Sequence, residues 1–197
     1  MKKTLLTLLL LCATISTTFA QGEGKRQEVG IDFSSLNSFG LTYRTGTATN
    51  LWRFNILTLN AAKTNTSSDS SETDQTNIGG SISIGKEFRK EITKNLELRY
   101  GADLAFEYNH YNQESENSTD ISETNRNTYS PSVAGVIGLN YVFNSNLAFG
   151  VELLPRFTYT TGKSVSTLNS VEIESKISSY SFGLTNNFAR LSLVYRF

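Results

Sequence analysis

The side chains of this chain that could do chemistry are ionisable and recur at spacings of two. Glu97, Arg99, Asp103 and Glu107 occupy odd positions of one segment, Glu152 and Arg156 even positions of another, and Arg44 and Arg53 belong to two more. In an extended strand such spacing puts side chains on one face. Charges of both signs on one face can pair, or can pass a proton or an ion along a row. A catalytic grouping has less behind it. His110 is the only histidine, with Glu114, Ser115 and Glu116 close behind it. A serine nucleophile needs a base within hydrogen-bond reach and an acid to orient that base. The sequence supplies those residue types without fixing their geometry. Cys12 is the only cysteine, so no thiolate cluster is possible. No phosphate-binding glycine loop, zinc spacing or nucleotide fingerprint occurs. Asp69, Glu72, Asp74, Glu114, Glu116, Asp120 and Glu123 lack calcium-loop spacing. Asn65-Thr66-Ser67 and Asn117-Ser118-Thr119 match a glycosylation acceptor pattern, read here as a coincidence of Asn- and Ser-rich segments. The expectation is no catalytic residue, no cofactor and no metal, with the charges forming structural ion pairs.

The elements that must position these charges are strands. Apolar and polar residues alternate over 27–34, 38–44, 51–60, 78–88, 96–110, 129–143, 147–161 and 177–197. From Leu96 to Tyr108 every even position is apolar or aromatic, while Glu97, Arg99, Asp103 and Glu107 fall between them. In the last segment the apolar positions are even through Phe188 and odd from Leu191, which predicts a β-bulge near Ala189-Arg190. The connections 61–77, 111–127 and 162–176 are long and polar and read as loops, whereas 89–94 and 144–146 are short. The first hairpin turn, 35–37, is short as well.

Alternation does not by itself say which face is outside. The polar face is rich in Gly, Ala, Ser and Thr. It carries seven acids (Glu28, Asp32, Glu87, Glu97, Asp103, Glu107, Glu152) against five arginines (Arg44, Arg53, Arg99, Arg156, Arg196). A soluble barrel would place every large apolar side chain in one narrow interior and want abundant lysine and glutamate outside. Small residues and near-balanced charges instead suit the cramped lumen of an eight-stranded barrel, with the apolar face in lipid. Trp52, Tyr108, Tyr141, Phe143 and Phe197 near strand ends suit interfacial girdles. A closed barrel is what lipid requires, because an open edge would leave backbone groups unpaired.

Composition agrees. The 18 basic and 18 acidic residues give no basic excess for nucleic acid, and 38% hydrophobic content with no long apolar run after residue 20 excludes a helical membrane protein. Lys2 and Lys3, the apolar stretch Leu5 to Ala13, and Thr18-Phe19-Ala20 before Gln21 read as a secretory signal peptide. Leu11 before Cys12 breaks a lipobox. Without Lys2 and Lys3, 16 basic residues face 18 acidic ones, a net charge of −2. The expected organisation is a signal peptide over 1–20, a short periplasmic segment over 21–26 and the barrel over 27–197.

The signal peptide, the eight alternating segments and the terminal Tyr195-Arg196-Phe197 together resemble the small outer-membrane β-barrel proteins of the OmpA/OmpX type, in the form common among Bacteroidota. The resemblance covers the whole chain after the signal. It implies an all-β fold, an eight-stranded antiparallel up-and-down transmembrane β-barrel in the cell outer membrane. It identifies hardly any activity, because this fold hosts several functions; the role expected here is a non-enzymatic structural or surface-interaction one with polar extracellular loops. Expected partners are outer-membrane lipid, lipopolysaccharide and, through Tyr195 and Phe197, the barrel-assembly machinery. No nucleic acid is expected, and a monomer is. Two alternatives are carried, a lipid-modifying outer-membrane enzyme using His110 and a narrow OmpW-like channel for small solutes. Separately, the sharper reading of the lumen charges is a gated proton or ion path through Glu97, Arg99, Asp103 and Glu107.

Overall fold

A computed structural model describes residues 25–35, 38–68, 71–117, 120–183 and 189–197. The expected signal peptide and most of the short segment after it lie outside the described residues. Among the described residues ten strands follow one another: β1 (Arg26–Ser35), β2 (Ser38–Gly46), β3 (Asn50–Ser68), β4 (Ser71–Thr93), β5 (Leu96–Asn117), β6 (Ile121–Val142), β7 (Leu147–Leu153), β8 (Arg156–Leu168), β9 (Val171–Gly183) and β10 (Ala189–Arg196). Neighbours in sequence pair antiparallel from β1 to β6, β6 continues to β7, and β7 to β10, which returns to β1. That ring is closed and has eight positions.

The spacing predicts eight strands, and the extra two arise from interruptions. On β6, Ile137 faces Leu153 of β7 and Ala134 faces Arg156 of β8. Three steps back match three steps forward, so β7 and β8 are one strand in one register, broken at Leu154-Pro155. Proline has no N–H for the ladder. In the eighth position Gly183 faces Arg156 while Ala189 faces Leu153. Six residues there match three opposite, and an odd excess turns the side chains over. Tyr180 of β9 stacks outward with Phe157 and Tyr159, whereas the outward residues of β10 are Leu191, Leu193 and Tyr195. The phase does switch, but Ala189 and Arg190 pair regularly with Leu153 and Glu152, so it falls before them, between Gly183 and Ala189 and outside the described residues.

The larger correction concerns the three long connections. They are not loops. β3 and β4 stay paired to Ser68 and Ser71, β5 and β6 to Glu116 and Ile121, and β8 and β9 to Leu168 and Val171. Polarity separates buried from wet sequence, not strand from loop. A solvated hairpin satisfies its backbone across the ladder and needs no apolar face, and threonine is as good a strand former as valine. The wall formed by β3, β4, β5, β6, β8 and β9 therefore rises well beyond β1 and β2, which end at the Ser35–Ser38 pair. We refer to this extension as the palisade.

The tip of β8–β9 is a two-residue turn with both centres in the left-handed region, Asn169 at φ 46° and Ser170 at φ 70°. That is the turn whose twist matches a hairpin, and asparagine followed by glycine is its preferred pair. Ser170→Gly removes a Cβ held in an unfavourable conformation. It is expected to stabilise this hairpin by about 1 kcal/mol, read as slower amide exchange in β8 and β9 with other strands unchanged.

The opposite end is tight. Residues 94–95 join β4 to β5, and in the β6–β7 turn Asn144 Oδ1 accepts from the backbone N–H of Asn146 at 2.9 Å and of Leu147 at 2.8 Å. Phe197 exchanges two backbone hydrogen bonds with Gln27, at 3.0 and 3.2 Å, and so fastens the last residue to the first strand.

Candidate functional site

In each of the eight ring positions one alternating set of side chains points to the barrel axis, and in all but β6, which contributes Ser132, Ala134, Val136 and Asn140, that set carries charge. Arg44, Arg53 and Arg99 are each 0% exposed, and Glu28, Asp32, Glu87, Arg89, Asp103, Glu152, Arg190 and Arg196 are buried with them. The other set points out and is apolar: Leu104 is 62% exposed, Ile137 58% and Phe39 62%. A protein in water is built the other way round. An apolar band of this extent around a closed wall is a surface matched to hydrocarbon, so the fold is a transmembrane β-barrel.

Most of the lumen charges form one connected network. Glu87 of β4 meets four arginines: Arg89 at 2.7 Å, Arg99 at 2.8 Å, Arg53 at 3.2 Å and Arg44 at 3.4 Å. Glu152 of β7 accepts from Arg53 at 2.8 Å and Arg99 at 2.7 Å. Glu28 of β1 receives both terminal nitrogens of Arg89 at 2.6 and 2.7 Å, with Arg26 at 3.0 Å and Arg196 at 3.1 Å. Glu97 pairs with Arg196 at 2.6 Å, and Asn140 bridges by accepting from Arg99 at 2.9 Å and donating to Glu97 at 3.3 Å. Forked guanidinium donors suit such shared contacts. Glycine makes the room: a Cβ on Gly150 would come within 2.5 Å of Ser192 Oγ, 2.6 Å of Asn140 Oδ1 and 2.8 Å of an Arg99 nitrogen.

Of the candidates read from sequence, Arg44, Arg53, Glu97, Arg99 and Glu152 come together in this network. Asp103 stands 3.3 Å from Arg53 Nε. Arg156, half-buried, lies within electrostatic reach of Asp103 and Glu107, and Glu107 itself is exposed, so the row on β5 leaves the buried network at its upper end. Sequence reading missed Arg26, Arg89 and Arg190. Arg89 shares the odd phase of Gly85 and Glu87 and could have been found by extending β4 past Phe88 instead of ending it there.

His110 and Ser115 do not assemble. His110 Nδ1 lies 2.8 Å from Asn127 Oδ1, which also accepts from Tyr108 at 3.0 Å. Ser115 shares a hydrogen bond with Thr73 at 3.0 Å on the opposite face of the same strand. Among the described residues no serine or threonine hydroxyl is hydrogen-bonded to the imidazole. Among the described residues no group of three or more His, Cys, Asp or Glu side chains is placed to hold a metal ion.

Of the expected girdle aromatics, Tyr141 and Phe143 pack edge to face at 5.1 Å, Phe197 stacks on Tyr195 at 6.3 Å, and Trp52 lies beneath the Lys86 ammonium at 4.6 Å.

No family model matches this chain, and no curated relative does. Among solved structures it is similar to a major outer membrane protein from Thermus thermophilus, at 11% identity over 89% of this chain and 100% of that one, with a TM-score of 0.45. It is similar also to Ail, the attachment invasion locus protein of Yersinia pestis, at 17% identity over 89% and 100% of the two chains, with a TM-score of 0.36. A third likeness is to CarO of Acinetobacter baumannii, at 13% identity over 91% and 98%, with a TM-score of 0.32.

Proposed function

We propose that this protein is a non-enzymatic, monomeric barrel of a bacterial outer membrane, whose plugged body anchors a tall polar palisade outside the cell for surface contact. The observation that carries the reading is the inversion of the wall, apolar outside and ion-paired inside. The amino-terminal Lys2-Lys3, Leu5–Ala13 and Thr18-Phe19-Ala20 pattern supports export. Tyr195 and Phe197 at the end of β10 support insertion by the barrel-assembly machinery. Acids on the outward face of the palisade, such as Asp74, Glu114 and Glu123, would share divalent cations with the phosphates of lipopolysaccharide.

The dense layer around Glu87 and Glu152 stands against a narrow open channel, since fully buried guanidinium groups fill the section. A steady conductance in planar bilayers would favour the channel instead. The placement of His110 away from any nucleophile stands against lipid modification.

The decisive experiment is envelope fractionation followed by gels run with and without boiling in SDS. The expected result is a band in the outer-membrane fraction whose mobility changes on boiling, because a closed barrel resists SDS when cold. A soluble periplasmic band with no shift overturns the reading.

A further inference from the structure

The palisade has two chemically different faces, and the inner one has no evident role in anchoring or plugging. Register fixes the faces. On the outward side, Asp74, Glu114 and Glu123 stand opposite one another on β4, β5 and β6, and Glu172 follows on β9. On the inward side, the row beginning at Gln75 continues through Gln113, Thr124 and Ser166 to Ile173, and the row above it runs Thr73, Ser115, Ser122, Leu168 and Val171. Over the paired stretch from residue 109 to residue 128 the inward side carries one charge, Arg126, and one aromatic, Tyr111, stacked at 5.8 Å. Solubility alone would scatter charges over both faces. Here they are segregated to the outside.

We propose that this inner face binds a saccharide chain without charge. A nucleic acid or an anionic polymer needs a basic surface, and a cation needs carboxylates. A folded protein partner needs an apolar centre to its interface, and the exposed Leu168, Val171 and Ile173 lie only at the β8–β9 end of this face, while its β4–β6 centre has no aliphatic side chain. An array of hydroxyls and amides offers donors and acceptors together, and sugar hydroxyls are both at once. The side chains are pre-ordered, so little rotamer freedom is lost on binding. Asn109 donates to Asn77 at 3.0 Å, Thr73 and Ser115 share a bond of 3.0 Å, Thr124 and Ser166 one of 3.3 Å, and Tyr111 donates to Gln113. Each hydroxyl so engaged keeps a lone pair for a ligand. Tyr111 adds a ring for the C–H face of a pyranose, and Arg126 a forked donor beside it.

This inference rests on the palisade standing outside the membrane, and the boiling shift tests that separately. A wild-type protein without the shift defeats the membrane reading before any sugar is added. The full chain, in phosphocholine nanodiscs free of sugar detergents, is titrated with maltoheptaose, cellohexaose, chitohexaose and dextran, with heparin as the anionic comparison. At least one neutral probe is expected to bind. Tyr111→Ala is expected to weaken it at least tenfold. So is Gln113→Glu, a change in size small enough to fold if the tyrosine variant does not. Asn112→Glu, one residue away on the outward face, is expected to stay within twofold. Binding of heparin alone, binding of no neutral probe, or equal loss in the Asn112 and Gln113 variants overturns the proposal.

Discussion

Glu87→Ala is expected to destabilise the barrel by about 3–5 kcal/mol, the cost of leaving buried charges without their counter-ion. It is the largest effect anticipated from a single lumen substitution. Arg44, Arg53, Arg89 and Arg99 all lie within 3.4 Å of its carboxylate, and each is buried. Glu152 and Glu28 would each remain bonded to some of them, but neither reaches all four within hydrogen-bonding distance. The measurement is urea unfolding from vesicles, followed by the fluorescence of Trp52, the only tryptophan. The matched control is Glu174→Ala on the palisade. Glu174 also forms an ion pair, 2.8 Å from Lys163, yet the two side chains are 46% and 63% exposed. The hydrogen bond from Lys163 lowers the Glu174 pKa, so any contribution exists above the ordinary carboxylate range and fades as pH falls through the lowered value. Water and salt screen it, and the unfolding midpoint should not move measurably. A loss at Glu87 no greater than at Glu174 would mean that the lumen is wet and the network does not bear on stability.

The architecture was legible because a barrel wall repeats one rule. Every second residue from Leu96 to Tyr108 is apolar, and the structure puts that set in the exposed band and Glu97, Arg99 and Asp103 on the other side. Three things were illegible or only partly legible, for physical reasons. The β3–β4 and β5–β6 hairpins beyond the apolar band have no apolar phase to read, since both of their faces meet water, so Thr64, Thr73 or Thr124 looks the same in a loop as in a strand. On β9, by contrast, Val171, Ile173 and Ile177 alternate with Glu172, Glu174 and Lys176, a strand signal that was there to read. Strand interruptions were half legible. Pro155 announces a missing donor without saying whether the register survives it, and it does. The change of phase before Leu191 signals an odd number of extra residues without saying where they sit or that they number three. The network was legible in type but not in partners. Parity places Glu87 and Arg99 in the lumen, yet only closure brings β4, β5 and β7 near enough for one carboxylate to serve four arginines.

Leu104→Arg probes the other side of the same strand, and its outcome separates a wall in lipid from a wall in water. Leu104 lies within the outward run from Leu98 to Tyr108, between Ile84 and Val133 on the neighbouring strands, which are 44% and 52% exposed. In hydrocarbon an arginine near the midplane costs about 2–4 kcal/mol, less if it can reach the interface. In water the same exchange on an exposed position falls within about 0.5 kcal/mol. The expected result is therefore a lowered urea midpoint in vesicles, and a smaller effect for Asn112→Arg, four pairs of side chains higher in sequence on the same face but above the apolar band. Asp103, the adjacent residue, already carries a charge at 3% exposure, because its side chain turns inward to Arg53. A charge that the barrel requires and a charge that it should reject are thus one residue apart. What distinguishes them is the face of the strand, and hence the solvent each meets. If Leu104→Arg proved neutral while Glu87→Ala proved costly, the charged interior would stand but the apolar band would not be in a membrane, and some other cover for it would have to be found.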